Sequence, residues 1–154
     1  MGHFMFRAIE KVGKYEYAYK LFEGWRKMMA LNCTSWCENP DTPRSECHGW
    51  SSAPIYELSS VILGVYPTEA GYRSVTVKPY IYHPGISSAS GKVPTPYGEI
   101  AVSWKVEDDS FTMDISMPQG SLDFAKLTVV LPGGETVNVK EESVHLKSAI
   151  RRDK

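Results

Sequence analysis

One change of hydrophobic period divides this chain, and it limits the possible folds more than any other feature. Up to about Val65 the apolar residues recur at steps of three and four; from Gly71 they recur at every second residue. The first repeat is one face of a helix and the second is one face of a strand, so helices come first and a sheet follows. Phe4, Ala8, Ile9 and Val12 mark a first helix that Gly13 ends. Tyr15, Ala18, Tyr19, Phe22, Trp25 and Met29 form the apolar face of a second, from about Lys14 to Leu31, with Lys11, Glu16, Lys20, Glu23 and Lys27 on the wet side. The third starts near Ser52-Ala53-Pro54, where Ser caps and Pro occupies the first turn. Leu58, Val61, Ile62 and Val65 continue it, and Gly64 and Pro67 close it.

Beyond Gly71, Ser74 to Lys78 alternates. Ile100, Val102, Trp104 and Val106 share one face of a strand, and Phe111, Met113, Ile115 and Met117 share one face of the next. Asp108-Asp109-Ser110 turns between them, which makes a hairpin. Leu127 to Leu131 is a further strand, ended by Pro132-Gly133-Gly134, and Val137/Val139 and Val144/Leu146 give two short ones. The expected fold is α+β, with helices over residues 1–66 and a small antiparallel β-sandwich over 67–150. Three helices enclose a core poorly, and these have wide aromatic faces, so the helical part is expected to pack against more helices than the chain supplies. Arg151 to Lys154 reads as a frayed charged tail.

Composition narrows the function classes. The chain has 154 residues, 42% hydrophobic and 23% charged, which are globular proportions. A formal net charge of −1 excludes binding nucleic acid by bulk charge. No apolar run approaches the length of a membrane span, so no membrane partner is expected. The start Met1-Gly2-His3-Phe4-Met5-Phe6 lacks the features of a secretory signal. Together with an odd count of 3 cysteines, this leads to the expectation of a cytoplasmic protein with reduced thiols.

Asn32 to Ser51 has no periodicity, yet it holds Trp36, Trp50, Cys33, Cys37, Cys47 and His48. Long loops of this kind within compact domains are usually functional or disordered, and the Trp and Cys content argues against disorder. As metal chemistry it offers Cys33, Cys37, Cys47 and His48, four ligands in number. The spacing is poor for zinc, because adjacent Cys47 and His48 point in different directions. Thiols packing the loop are the preferred reading, and no cofactor is expected. A Cys47–His48 nucleophile pair is weaker still. As carboxylate chemistry the loop offers Glu38, Asp41 and Glu46 beside Trp36, Trp50, Arg44 and His48. Aromatic rings stack on sugar faces while carboxylates, Arg and His bond hydroxyls, so the set suits either a carbohydrate site or a structural loop. Arg44 is a sugar-hydroxyl donor or, preferably, an ion-pair partner for Asp41. His3, His83 and His145 show no partner pattern and read as surface residues; Trp25 and Trp104 read as core.

The runs Thr34-Ser35-Trp36-Cys37-Glu38-Asn39-Pro40, Arg44-Ser45-Glu46-Cys47-His48-Gly49-Trp50-Ser51-Ser52-Ala53-Pro54 and Ile62-Leu63-Gly64-Val65-Tyr66-Pro67 resemble the C-terminal end of the bacterial α-L-rhamnosidases, glycoside hydrolase family 78. The resemblance continues through Gly71, Val77-Lys78-Pro79, Gly91, Thr95 to Ile100 and Val102-Ser103-Trp104, and covers about residues 4 to 132. It implies the terminal helices of an (α/α)6 barrel followed by a small β domain, and inverting hydrolysis of terminal α-L-rhamnosides. It makes Glu38, in the Thr-x-Trp-x-Glu motif, the general base. It places His48 against the bound sugar of a rhamnose-containing glycoside, where Trp36 and Trp50 are the rings that the residue types offer for stacking. The general acid belongs to an upstream barrel segment that this sequence does not include, so the chain is expected to be a C-terminal fragment, inactive alone. Glu46 and Asp41 share a loop with Glu38, whereas an acid and a base must face each other across the substrate. A non-catalytic carbohydrate-binding or interaction module, with the β half as its platform, is the alternative.

Overall fold

The computed structural model describes residues 2–41 and 45–150. The chain forms two compact units. One runs to Glu57 and includes Tyr82–Pro84; the other takes Leu58–Ile81 and the chain from Gly85 onward. Arg44 and the tail from Arg151 lie outside the described residues.

The first unit contains α1 (Gly2–Lys11), a 3-10 turn at Tyr15–Tyr17, α2 (Ala18–Leu21), α3 (Glu23–Ala30), a 3-10 turn at Gly49–Ser51 and α4 (Ala53–Glu57). Its core is aromatic. The Phe6 ring sits 4.9 Å from Phe22 and 5.8 Å from Trp25, centroid to centroid. Tyr15, Ala18, Met28 and Cys37 are buried around it. His83, expected at the surface, is also buried, with its ring 6.0 Å from Phe22.

One expected helix is corrected. The span from Lys14 to Leu31 is not one helix: a 3-10 turn opens it and Phe22 interrupts it. A 3-10 turn advances by about 120° per residue against about 100° in an α-helix, so the inward face moves out of phase. Met28 is therefore buried and Met29 is exposed. Phe4 on α1 and Val12 just beyond it are exposed at 69% and 68%, while Phe6 is completely buried. Both sides of this helix are apolar, and the stripe legible in the sequence is the outer one. Met5, Tyr17, Leu31, Ile55 and Tyr56 add to the exposed apolar surface of this unit.

Glu57, at the end of α4, is fully buried. The Arg7 guanidinium bonds both of its carboxylate oxygens, and the Tyr15 hydroxyl donates to one of them at 2.9 Å. The same guanidinium lies over the Tyr56 ring, 4.5 Å from its centroid. α1, the Tyr15 turn and α4 are thus tied by one polar cluster that the apolar periodicity could not reveal.

The second unit opens with a π-helical turn at Leu58–Ile62, where the sequence continued a regular helix. β1 (Val65–Pro67), β2 (Ser74–Val77), β3 (Ser88–Thr95), β4 (Gly98–Glu107), β5 (Ser110–Ser116), β6 (Lys126–Val130), β7 (Thr136–Val139) and β8 (Ser143–Ala149) follow. They form two four-stranded sheets, β1-β2-β6-β7 and β3-β4-β5-β8. Every pairing is antiparallel except β2 with β6, which is parallel, a departure from the all-antiparallel expectation. The expected hairpin is β4–β5, with Trp104 opposite Met113 and Val102 opposite Ile115. These four side chains, with Ile100 and Phe111, are buried on one face. Val75, Val77, Leu127 and Val129 are buried on the other sheet. Two four-stranded, mostly antiparallel sheets with buried apolar faces fit a β-sandwich. Trp104 Nε1 donates to the Ile62 carbonyl at 3.0 Å, tying the π turn to the second sheet.

Two strands escape the sequence reading. β3, Ser-Ala-Ser-Gly-Lys-Val-Pro-Thr, carries one buried apolar residue, Val93, and lies at a sheet edge where Pro and Gly are tolerated. β1 includes Val65, which the helical spacing had claimed. Gly64 separates the two: it adopts φ +87°, and a Cβ there would sit 2.3 Å from the Pro79 backbone nitrogen.

Two stability predictions follow from these contacts. Glu57→Ala removes the buried carboxylate that Arg7 and Tyr15 bond and should cost about 3–5 kcal/mol in urea unfolding. Burial holds the Glu57 carboxyl above the usual carboxylate range, against the Tyr15 and Arg7 bonds that favour its charged form. The folded state therefore holds the proton to higher pH than the unfolded chain does. Glu57's contribution is fully present below the unfolded value and is lost as pH rises through the folded one. Glu57→Gln, which mimics the neutral acid, should cost less than Ala and flatten that pH dependence. Gly134 has φ +85° with open space around it. Gly134→Ala should cost only the left-handed backbone penalty of about 1–2 kcal/mol, and Gly64→Ala distinctly more.

Candidate functional site

The long loop leaves α3 through a defined cap. Asn32 adopts φ +56°, its N–H donates to Met29 and that of Cys33 donates to Met28, each at 3.0 Å. This is the Schellman arrangement, with Asn in the left-handed position. The loop then doubles back. Glu38 N–H donates to the Ser45 carbonyl at 3.2 Å, and His48 N–H donates to the Trp36 carbonyl at 2.7 Å. Successive side chains of the extended segment Trp36-Cys37-Glu38 alternate in direction, and Cys37 is the buried one. Glu38 is left exposed and Trp36 half-buried. The Gly49–Ser51 turn is fixed by Trp25, whose Nε1 donates to the Ser51 carbonyl at 2.7 Å.

These contacts bring Glu38, His48 and Trp50 to the wall of one cavity of about 390 Å³, closed by Trp25, Met28 and Pro40. Trp36 is not part of that wall. Trp50 is 78% exposed, and the His48 ring nitrogen Nδ1 lies 3.4 Å from Ser45 Oγ. Glu38 is the only carboxylate among the described residues lining this cavity, and its side chain has no hydrogen-bond partner among them. Glu46 lines a different cavity, with Cys33, Thr34, Ser35 and Cys37. Asp41 is paired with Lys27, and its N–H bonds the Asn39 side chain at 2.9 Å. The chemistry available is therefore one exposed carboxylate, an imidazole and an exposed indole around a small open space. That set can hold a polar ring and draw a proton from a water. Burial raises the affinity of Glu57 for a proton, as a general acid needs, but Glu57 lines neither cavity.

The thiol-packing expectation holds for Cys37 alone, since Cys33 and Cys47 are exposed. Among the described residues no three His, Cys, Asp or Glu side chains converge as a metal-holding group. His145 does have a partner, Asp114, at 2.7 Å on the face of β5–β8. Trp25, read as core, is half-buried and doubles as a cavity wall; nothing in helical spacing separates those two roles.

Residues 64–146 match the family described as the bacterial alpha-L-rhamnosidase C-terminal domain. The chain belongs to that family. An alpha-L-rhamnosidase of Formosa agariphila is 29% identical over 82 residues, which is 53% of this chain and 8% of that protein. Among solved structures, a GH78 family rhamnosidase of Bacillus sp. GL1 is 33% identical and superposes with a TM-score of 0.73, covering 86% of this chain and 15% of its own. The alpha-L-rhamnosidase of Aspergillus terreus shares the fold at a TM-score of 0.83 and 24% identity, covering 99% of this chain and 19% of its own. The rhamnosidase-family chain thus spans less than a fifth of each of these relatives. The family match falls on the strand-rich unit, while both fold likenesses extend into the helical unit that carries the cavity.

Trp25→Phe keeps the ring and removes the bond to Ser51. It should cost about 1 kcal/mol and speed amide exchange at Gly49–Ser51 while leaving β4 and β5 unchanged. Uniform acceleration across both units would contradict a local anchoring role.

Proposed function

We propose that this chain is the C-terminal portion of an α-L-rhamnosidase, an inverting glycoside hydrolase that removes terminal α-L-rhamnose from rhamnose-containing glycosides. In this reading the helices over residues 1–66 end an (α/α)6 barrel and residues 67–150 form the β-sandwich that follows it in the chain. Glu38 is the general base, His48 bonds a sugar hydroxyl and Trp50 stacks on the ring. The observation that supports it best is the meeting of Glu38, His48 and Trp50 at one cavity, with Glu46 and Asp41 turned elsewhere. The part of Trp36 rests on the motif alone.

The chemistry follows from the geometry of inversion. One carboxyl protonates the leaving oxygen and another, about 6.5–9.5 Å away, activates a water on the opposite face. Glu38, exposed and without a side-chain partner among the described residues, suits the second task. The first falls to a carboxyl on the upstream barrel segment, which is the partner this reading requires. The exposed Phe4, Met5, Val12 and Ile55 support such a segment, because apolar groups on the outer side of α1 and α4 gain from burial by further helices.

A second reading, a non-catalytic carbohydrate-binding module, draws on a different feature. Ser90, Ser103, Asp114 and His145 stand in register across β3, β4, β5 and β8, along an open furrow of about 590 Å³. L-Rhamnose titration followed by amide shifts separates the two: movement at Glu38 and His48 supports the first, movement at Asp114 and His145 the second.

On an activated aryl α-L-rhamnoside, which needs little leaving-group protonation, the isolated chain should release no rhamnose above background. Turnover near 1 s⁻¹ would show a complete site here. Within a full-length enzyme, Glu38→Gln should lower kcat by at least about 10²–10⁴-fold with KM nearly unchanged. His48→Ala should raise KM as well, and Glu46→Gln should do neither. A larger loss for Glu46→Gln than for Glu38→Gln would put the base on the wrong carboxylate.

A further inference from the structure

Trp50 belongs to two cavities, and the proposed hydrolysis uses one of them. Beside the Glu38 cavity lies a second, of about 210 Å³, lined by His3 and Phe4 of α1, Trp50 and Ser52 at the 3-10 turn, and Tyr56 of α4. Trp50 is the one described residue common to both linings, and its indole is 78% exposed. We propose that this second cavity is the subsite for the leaving group of the rhamnoside, and that it takes a single uncharged aromatic ring, a phenolic aglycone. The leaving-group part rests on the hydrolytic reading of Glu38.

The chemistry of the lining selects the ring. Four ring-bearing side chains, His3, Phe4, Trp50 and Tyr56, supply most of it, and no carboxylate, amide, Lys or Arg side chain joins them among the described residues. Each hydroxyl of a second sugar would give up water here and need a partner in return, which is costly where few are offered. A phenol has one hydroxyl to satisfy, and the Ser52 hydroxyl or the His3 ring can do so. A uronate would find no cation. The walls also meet at steep angles: His3 stands at 85° to Tyr56 with centroids 5.9 Å apart, and at 67° to Phe4 with centroids 5.8 Å apart. A flat ring laid against one wall meets the next edge-on, the arrangement that aromatic pairs prefer. The volume suits one ring, since an apolar cavity of about 150 Å³ holds a benzene molecule.

The Tyr56 wall is fixed before any ligand arrives. Arg7, which is not part of the lining, lies 4.5 Å from the Tyr56 ring centroid, and its guanidinium is held by the fully buried Glu57. A wall held in place lowers the ordering cost of binding. Inversion requires the attacking water and the leaving group on opposite faces of the sugar. Glu38 lines the first cavity and not the second, so a sugar seated against Trp50 beside Glu38 can direct its glycosidic oxygen toward the aromatic cavity.

Titration of the chain with phenol, followed by amide shifts, tests the ring site without any chemistry on rhamnose. Shifts should concentrate at His3, Trp50 and Tyr56, and Phe4→Ala and Tyr56→Leu should each weaken binding about threefold or more. Phe4 is 69% exposed, so its variant should fold as the parent does. Phenol moving none of these residues, or methyl α-D-glucopyranoside moving them more strongly than phenol, would overturn the aromatic class. In a full-length α-L-rhamnosidase carrying this segment, Tyr56→Leu should raise the KM for phenyl α-L-rhamnoside relative to that for methyl α-L-rhamnoside by about threefold or more. Comparing each substrate with its own parent value cancels the reactivity of the leaving group. An unchanged ratio, including one that results from an upstream residue filling the cavity, would overturn the leaving-group role. The two readings are judged apart. Shifts by L-rhamnose at Glu38 and His48 without shifts by phenol would sink this inference alone; shifts by phenol without any by L-rhamnose would sink the hydrolytic reading and the leaving-group role with it.

Discussion

The hydrogen bond from His48 N–H to the Trp36 carbonyl, at 2.7 Å, is the contact on which the arrangement of the loop depends. With the Glu38 to Ser45 bond it turns an aperiodic stretch into two facing segments. Closing a loop of this length costs a few kcal/mol of entropy that grows only slowly with length, so two backbone bonds and a few buried groups suffice. Cys37 supplies one such group by pointing inward. Alternation along an extended chain then leaves Glu38 facing out, toward the wall completed by His48, Trp50 and Trp25. The Thr-x-Trp-x-Glu and Cys-His-x-Trp-Ser patterns read in the sequence are the two sides of this fold-back.

The rest of the helical unit supports that loop from beneath. Phe6, Phe22 and Trp25 form the aromatic floor, and the Arg7–Glu57–Tyr15 cluster ties α1 to α4. A buried carboxylate held by a guanidinium adds little net stability compared with an apolar replacement, but it strongly penalises any arrangement that separates the partners. It therefore fixes which faces of short helices meet. The price of that arrangement is an outward surface with Phe4, Val12 and Ile55 in solvent. In the strand-rich unit Leu58 and Phe124 are exposed, while the alternating apolar residues are buried on the inner faces of β2, β4, β5 and β6, and this unit carries the family match.

Much of this was legible in the sequence, and the gaps have physical causes. The β4–β5 hairpin could be read because a buried row alternates over its full length, and its register follows from a tight turn at Asp108-Asp109. β3 could not, because an edge strand needs only one inward apolar residue. The existence of helices was clear, yet their inward faces were not. Periodicity finds an apolar stripe but cannot say which of two stripes faces the core, and it assumes 3.6 residues per turn where Tyr15–Tyr17 and Leu58–Ile62 depart from it. Glu57 was invisible because a charged residue among apolar ones gives no sign of burial until its partners, distant in sequence, are in place. At the loop, residue types offered Glu38, Asp41 and Glu46 alike beside Trp36, Trp50 and His48; the family resemblance favoured Glu38 and His48, and only the folded loop assigns Glu46 to another cavity.

The central claim is that Glu38 is the carboxylate that activates water. The most direct measurement is a crystal structure of a full-length α-L-rhamnosidase carrying this segment, with L-rhamnose bound. The Glu38 carboxylate should lie within about 3 Å of an ordered water on the face of the anomeric carbon opposite the leaving group, with His48 on a sugar hydroxyl. A sugar with Glu46 or Asp41 in that position, and Glu38 turned to solvent, would contradict the account.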